Sequence, residues 1–202
     1  TQEPLDPVRY LTNHSTGKMG YAVARAAVMR GADVTLIHGP TALPPVKFTE
    51  DVPITTAQDM YEAVTSRFAD MDILVMAAAV ADYRPAAVAD DKIKKKDGDL
   101  SIPVERTADI LGTIGPRKTK QFLCGFSMET RDMVENSAAK LKKKNLDMVV
   151  ANNLKVAGAG FGVDTNVVTF ITPDGTRELP LMSKADVADA ILDEILRRRA
   201  KK

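Results

Sequence analysis

Helical and strand patterns alternate along the first part of the chain. The Ala-rich beginning of the stretch 21–39 predicts a helix that stops at Gly31, and its β-branched end predicts a short strand. Thr56, with Asp59 three residues later, has the spacing of a capping box and predicts a helix over 57–69. These are the helix-to-strand steps of an α/β fold.

The same alternation continues to about residue 152. The run DILVMAAAV (72–80) is apolar after its first residue, which is typical of a parallel strand buried on both faces. Further predicted elements are a helix over 108–115, a strand over 121–126, a helix over 131–144 and a strand over 146–152. Together they predict an α/β fold with a Rossmann-like, doubly wound, mainly parallel sheet. The stretches 40–53 and 81–103 are predicted to be long loops.

The last third of the chain has a different pattern. The stretch 166–182 contains two strand-like runs on either side of the turn residues 173–175, which predicts an antiparallel C-terminal strand pair. Ser183 and Asp186 then have capping-box spacing at the start of a final helix. This helix ends in the basic run RRRAKK, and positive charge at a helix C-terminus is favourable without any nucleic acid.

Composition narrows the class of function. The 202 residues fit one domain, predicted to span 1–202, and 45% hydrophobic with 27% charged residues indicates a globular protein. A net charge of +1 argues against a dedicated nucleic-acid or membrane-surface protein, and no apolar run reaches the roughly 18 residues of a membrane span. The single cysteine, Cys124, excludes an internal disulfide and predicts a cytoplasmic location. It lies in an apolar strand, so we expect it in the core.

The segment NHSTGKMG (13–20) looks like a phosphate loop but fits neither the Walker pattern nor the dinucleotide fingerprint. Its small side chains lead into a helix predicted to begin near Lys18, and such a helix end attracts anions. Asn13 is an uncharged donor suited to an oxyanion, whereas a capping role is favoured for His14. His14 and His38 are the two histidines of the sequence, so a histidine-based metal site is not expected.

Further candidate chemistry follows the predicted buried strand. In open α/β sheets ligands bind beyond the carboxyl ends of the strands, where this chain places Asp82 and then the basic run 92–96. Asp82 suits a ribose diol, and the lysines suit phosphates, although a solvated loop explains them as well. Lys140 and Lys144 lie one helical turn apart and suit a triphosphate, but the spacing also fits ordinary helix surface.

In combination these motifs resemble the phosphopantothenoylcysteine synthetase family, and in particular the synthetase part of bacterial bifunctional coenzyme A biosynthesis flavoproteins. The resemblance rests on EPLDPVRYLTNHSTGKMG (3–20), AAAVADYRP (77–85), KIKK (92–95), GFSMET (125–130) and KNLDMVVAN (144–152). It implies a ligase in which CTP, with Mg²⁺, activates 4'-phosphopantothenate as an acyl-cytidylate. The amine of L-cysteine then displaces CMP to form an amide. FMN is implied only if a decarboxylase domain lies upstream.

The resemblance also implies roles for particular residues. Asn13 would handle the acyl-cytidylate, Lys92 would reach the triphosphate, and Asp82 would bind the nucleotide. Arg9 would serve the phosphate of phosphopantothenate or support the neighbouring loop. Ser15 and Gly17 are assigned to the anion site at the helix start, and the remaining CTP contacts are assigned to Ala78, Ala79, Ala108, Asp109, Ile110, Leu111, Phe126, Lys140 and Lys144.

Two departures from the family pattern affect these expectations. The family has Asn-Pro-Asp where this chain has residues 107–109, Thr-Ala-Asp, so we expect the backbone around the nucleotide base to be shaped differently. The family also has a strand ending in Gly-Pro-Thr before the Glu-Pro-Leu-Asp segment, which is absent here, and we expect that strand to be central in the sheet. A homodimer through the late strands 166–182 is a further expectation.

Two other classes of function stay open at the level of sequence. One is an NAD(P)-binding Rossmann oxidoreductase, against which stands the absence of G-x-G-x-x-G. The other is a non-catalytic nucleotide-binding remnant. The choice of CTP over ATP rests on the resemblance alone, because base contacts through the backbone leave no side-chain pattern.

Overall fold

A computed structural model describes residues 1–95, 100–129, 132–153, 160 and 162–200. Its helices are α1 (Lys18–Met29), α2 (Ala57–Arg67), α3 (Ile110–Ile114), α4 (Met133–Lys143) and α5 (Lys184–Arg199). Its strands are β1 (Gln2–Pro4), β2 (Tyr10–Thr12), β3 (Val34–His38), β4 (Thr49–Pro53), β5 (Ile73–Met76), β6 (Tyr83–Pro85), β7 (Val104–Arg106), β8 (Phe122–Glu129), β9 (Met148–Asn153), β10 (Thr165–Asn166), β11 (Val168–Thr172), β12 (Gly175–Glu178) and β13 (Met182–Ser183).

The main sheet has the strand order β12-β11-β9-β8-β5. β8 runs parallel to both β5 and β9, with Cys124 paired to Val75 on one side and to Met148 on the other. β11 is antiparallel to β9 and to β12, with which it forms the hairpin predicted around residues 173–175. The predicted α/β fold, with a mainly parallel sheet and an antiparallel C-terminal pair, is confirmed.

Side chains of β8 alternate between the two faces of the sheet. Phe122 and Cys124 pack with α1 and α5 on one face. Leu123 packs with α2, α3 and α4 on the other face. Because all three side chains have 1% exposure or less, the sheet is covered on both sides, as the unbroken apolar strand runs predict.

Helix starts follow the expected capping chemistry. Thr56 and Asp59 form a reciprocal capping box at the start of α2. Ser183 accepts the backbone N–H of Asp186 at 3.1 Å at the start of α5. The helix predicted over 108–115 begins later, because Asp109 caps it by accepting the N–H of Gly112.

Cys124 has no solvent exposure, and burial raises the pKa of its thiol. Its predicted place in the core is confirmed. Within the residues that the structure describes, no helix is both long and apolar enough to cross a bilayer.

Three further predictions differ from the observed elements. The stretch 40–53 contains β4, which pairs in parallel with β3; its sequence TEDVP is mostly exposed and lacks the alternation that marks a half-buried strand. The stretch 81–103 contains β6, a short strand that pairs with β7 and includes a proline. The strand predicted over 72–80 ends at Met76, because the alanines that follow leave the sheet and line a pocket.

A groove separates β3 from β5. The two strands belong to different sheets, and the space between them has a volume of about 640 Å³. Its apolar walls include Leu36 of β3, Val75 of β5, Val23 of α1 and Met60 of α2. The groove is therefore bounded by a strand on each side and by a helix on each face. These are the surroundings of a buried strand in an α/β sheet.

Candidate functional site

The main pocket lies at the carboxyl ends of β5, β8 and β9, where ligands bind in open α/β sheets. Its volume is about 800 Å³. Its walls come from parts of the chain that are far apart in the sequence, namely 13–20, 76–83, 106–111, 126–128 and the single residues Lys140, Lys144, Asn152, Gly160, Asn166 and Lys184.

One wall is the N-terminus of α1. Gly17 precedes the helix with φ of 76°, a left-handed conformation that costs a side-chain-bearing residue free energy. Its carbonyl accepts the N–H of Tyr21 at 3.0 Å, while the earlier N–H groups of the first turn lie at the pocket. Since this end of the helix carries partial positive charge, the wall suits an anion.

Asn13 lies between this helix and the segment that follows β5. Its Nδ2 atom donates to the carbonyl oxygen of Val80 at 3.1 Å and lies 3.5 Å from that of Ala79. Two carbonyl oxygens fix which end of the amide is the donor, because a carbonyl accepts and does not donate. Asn13 therefore joins the loop before α1 to the carboxyl end of β5.

The segment after β5, residues 77–83, lines the opening of the pocket. Thr107 holds it in two places: its hydroxyl donates to the carbonyl of Ala81, and its backbone N–H donates to that of Asp82 at 3.0 Å. The side chain of Asp82 is exposed at this opening. Although residues 107–109 depart from the family pattern, Thr107 thus braces the segment.

The lysines of α4 are engaged on the opposite wall. Lys144 pairs with Asp109 at 2.9 Å, and Lys140 donates to the carbonyl oxygen of Phe126 at 2.7 Å. Burial alone would raise the pKa of Asp109, but the hydrogen bonds from Lys144 and from the N–H of Gly112 outweigh it and lower that pKa. Asp109 thus supplies the acid that the close spacing of the two lysines requires.

The structure brings most of the predicted site residues together. Those that line the pocket are Asn13, Ser15, Gly17, Ala78, Ala79, Asp82, Ala108, Asp109, Ile110, Leu111, Phe126, Lys140 and Lys144. Lys92 and Arg9 lie outside its lining, and Lys92 is exposed. Arg9 donates to the Asp6 carboxylate and to the carbonyl of Ile93, contacts of the kind expected of a residue that supports the neighbouring loop.

Sequence reasoning missed one end of the pocket. Asn152, at the end of β9, accepts a hydrogen bond at 3.2 Å from the buried Asn166. Lys18 pairs there with Asp164 at 2.8 Å, and the buried Lys184 donates to the carbonyl of Val163 at 2.6 Å. A lysine in the first turn of a helix opposes the helix dipole, so Lys184 after its Ser cap was the available signal.

Carboxylates are sparse at the site. The acidic residues that line the pocket are Asp82 and Asp109. Across the described parts of the chain, no group of three His, Cys, Asp or Glu side chains gathers as a metal site.

The fold and the pocket define a Rossmann-like α/β domain whose pocket lies at the strand ends, beside the N-terminus of α1. The chain belongs to the family described as the DNA/pantothenate metabolism flavoprotein C-terminal domain, whose model matches residues 1–198.

Relatives of known name support this placement. The coenzyme A biosynthesis bifunctional protein CoaBC of Bacillus subtilis (strain 168) is 52% identical over 197 residues, which cover 96% of this chain and 48% of that protein. The protein of the same name from Escherichia coli (strain K12) is 43% identical over 202 residues, covering 98% and 50%. This chain thus spans about half the length of both relatives.

A solved structure agrees in fold. The crystal structure of the C-terminal domain of a coenzyme A biosynthesis bifunctional protein CoaBC superposes with a TM-score of 0.85 at 45% identity, covering 100% of this chain and 94% of that one.

Proposed function

We propose that this domain is a ligase that joins 4'-phosphopantothenate to L-cysteine in coenzyme A biosynthesis, through an acyl-cytidylate formed from CTP. The observation that carries the proposal is the composition of one pocket. It combines the N-terminus of α1, Lys140 and Lys144 of α4, and Asn13 beside the end of β5. Relatives named for coenzyme A biosynthesis support the choice of substrates.

The triphosphate would lie between the α1 N-terminus and α4. Backbone N–H groups after Gly17 supply donors, and Lys144 supplies a charge that now pairs with Asp109. Since the Asp109 side chain is 54% exposed, a polyanion competes for Lys144 without leaving a buried unpaired carboxylate. The remaining predicted CTP contacts, Ala78, Ala79 and 108–111, then frame the nucleoside.

Mg²⁺ would arrive with the triphosphate. In such sites one or two carboxylates and the substrate phosphates complete the coordination, so a three-carboxylate cluster is not needed. The exposed Asp82 fits this donor set and would hold the ion. When bound, the ion supplies neutralisation of the phosphate charge.

The reaction needs no protein nucleophile. The carboxylate of phosphopantothenate attacks the α-phosphorus of CTP and releases pyrophosphate; the cysteine amine then attacks the acyl carbon and releases CMP. Lys92 would reach the phosphates in the first step. In the second, the Asn13 amide would donate to the oxygen that gains negative charge. Arg9 would support this region or bind the substrate phosphate.

Ligand-dependent melting tests this assignment, because a ligand that binds only the folded state raises Tm. We expect CTP with Mg²⁺ to raise Tm, ATP with Mg²⁺ to raise it less, and NADH to leave it unchanged. A rise with NADH alone would favour the oxidoreductase alternative. A rise with CTP but no turnover would favour the non-catalytic remnant.

We also propose a homodimer formed through the late strands. β12 is an edge strand of the main sheet, and all four of its residues are exposed. A free sheet edge suits extension across a two-fold axis. Light scattering at micromolar protein should give twice the chain mass of 21.9 kDa, and a monomer mass would reject the proposal.

Two proposals concern the longer protein. The relatives are named as bifunctional and are about twice as long, which supports a decarboxylase domain that is fused to this one and uses FMN. We place this activity in the cytoplasm. The groove between β3 and β5 supports a central strand supplied from outside residues 1–202. Adding that strand should raise the free energy of unfolding measured with denaturant, and an unchanged value would count against it.

A further inference from the structure

One buried carboxylate joins the turn between β1 and β2 to the segment that carries Lys92. The side chain of Asp6 has no solvent exposure. Its Oδ1 atom accepts the backbone N–H groups of Val8 and Arg9, each at 2.9 Å. Its Oδ2 atom accepts the Arg9 guanidinium and the backbone N–H of Ile93, the latter at 3.1 Å. The carboxylate thus binds a local turn and a segment 87 residues away.

Arg9 completes the same contact from the other side. Its Nη2 atom donates both to Asp6 and, at 3.0 Å, to the carbonyl oxygen of Ile93. Both backbone polar groups of Ile93 are therefore held by this ion pair. Earlier in the same segment, the N–H of Ala89 donates to the carbonyl of Leu5 at 3.0 Å. Lys92 therefore lies between Ala89 and Ile93, whose backbone groups are both hydrogen-bonded to the turn at residues 5–9.

The same turn leads directly to Asn13. β2 follows the turn and ends at Thr12, so the orientation of the turn sets where Asn13 begins. The N–H of Leu5 donates to the carbonyl of Arg9 at 2.8 Å and closes the turn. The turn at residues 5–9 is thus connected both to Asn13 and to the segment that carries Lys92. The proposed reaction assigns different steps to these two residues.

We propose that Asp6 is a positioning residue that holds the Lys92 segment in register with the strand leading to Asn13. The inference rests on the proposed function through the role given to Lys92. Asp6 touches no substrate, because its side chain is buried outside the pocket lining. Its effect is to fix the backbone from which Lys92 extends, so that less conformational freedom is lost when the ammonium group meets the phosphates.

Hydrogen exchange tests the contact without any activity. In Asp6→Asn the charged acceptor of the Ile93 N–H is lost, and we expect the Ile93 amide to exchange at least about tenfold faster. Asp147→Asn is the matched control. It removes a mostly buried carboxylate that pairs with a lysine and accepts a backbone N–H, and it lies directly before β9 rather than in the first hairpin. Unchanged exchange at Ile93 in Asp6→Asn would overturn the proposal.

A double-mutant cycle tests the functional consequence. Pyrophosphate release is measured with CTP and phosphopantothenate for the wild type, Asp6→Asn, Lys92→Ala and the double variant. We expect Asp6→Asn to slow release at saturating CTP at least about tenfold, and the double variant to match Lys92→Ala within about twofold. A double variant whose loss equals the product of the single losses would reject action through Lys92.

The two proposals fail in different ways. If the wild type releases no pyrophosphate, the ligase function is wrong, while exchange at Ile93 still reports on the contact. If Asp6→Asn does not fold, Arg9→Lys replaces it in both experiments. This variant keeps a charge at a half-exposed position and removes the bond to the Ile93 carbonyl. It should give the same faster exchange and the same non-additivity, and additive losses would again reject the proposal.

Discussion

Asn13 is the residue whose geometry separates the two proposed half-reactions. Its Nδ2 atom donates to the carbonyls of Val80 at 3.1 Å and Ala79 at 3.5 Å, and the longer of these two bonds is the one that a substrate oxygen would replace. Lys92, by contrast, belongs to the exposed segment proposed to meet the phosphates. Changes at the two positions should therefore affect different steps.

Asn13→Ala should keep the rise in Tm with CTP and Mg²⁺ and lose amide formation by about 100-fold or more, the usual cost of removing an oxyanion donor. The measurement is single-turnover formation of product from the pre-formed acyl-cytidylate. Lys92→Ala is the comparison and should instead slow pyrophosphate release. Normal amide formation in Asn13→Ala would remove it from the chemistry.

Asp6 also predicts an acid dependence of stability. Hydrogen bonds from the Arg9 side chain, and then from backbone N–H groups, outweigh burial and hold the pKa of this carboxyl well below its usual range. A depressed folded-state pKa adds stability that is fully present above the unfolded pKa of about 3.9 and is lost as the pH falls towards the folded value.

The difference in unfolding free energy between the wild type and Asp6→Asn should accordingly be constant above about pH 5 and shrink below about pH 4. Urea unfolding at a series of pH values measures it. A difference that stays constant down to pH 2 would show that the Asp6 charge does not contribute in this way.

At the scale of elements, the end of α4 packs on a glycine after α3. A Cβ atom at Gly115 would lie 2.0 Å from the carbonyl oxygen of Lys144, a backbone atom that has no room to yield. The amide of Asn145 also donates to the Gly115 carbonyl at 2.9 Å. This contact sets the distance between Asp109 at the start of α3 and Lys144 at the end of α4.

Gly115→Ala should therefore destabilise the fold by about 1–3 kcal/mol or more and weaken CTP binding through the displaced Lys144. Gly39→Ala is the control, because its Cβ would meet the backbone of Thr1 at an ordinary 3.8 Å. Denaturant unfolding and CTP titration measure the two effects. Equal stability of the two variants would contradict the packing account.

The elements that the sequence predicted well are those whose pattern reports burial. The apolar strands and the capped helices follow from local signals, such as Thr56 with Asp59. The short strands β4, β6 and β7 could not be found in this way. β4 and β7 are mostly exposed, β6 contains a proline, and β6 and β7 find their pairing partners far along the chain.

The candidate site was predictable for a different reason. The resemblance and the rule that ligands bind at strand ends led to residues most of which line one pocket. The end formed by Asn152, Asn166 and Lys184 was missed, because these residues come from three separate elements and carry no shared motif. Arg9 and Lys92 lie outside the pocket lining, which spacing along the chain has no means of showing.

At the scale of the whole molecule, the site exists only in the folded chain. Its walls combine the start of α1, the strand ends of β5, β8 and β9, and the two lysines of α4. The turn at residues 5–9 lies beyond these walls and ties the first hairpin to the Lys92 segment. We propose that this assembly performs both activation by a nucleotide and amide formation.

The most direct test of that claim is CMP release in the presence of CTP, Mg²⁺ and 4'-phosphopantothenate, with and without L-cysteine. We expect pyrophosphate to form without cysteine, and CMP to appear only when cysteine is added, in equal amount to 4'-phosphopantothenoylcysteine. Release of CMP that is independent of cysteine, or the absence of both products from a folded protein that binds CTP, would contradict the claim.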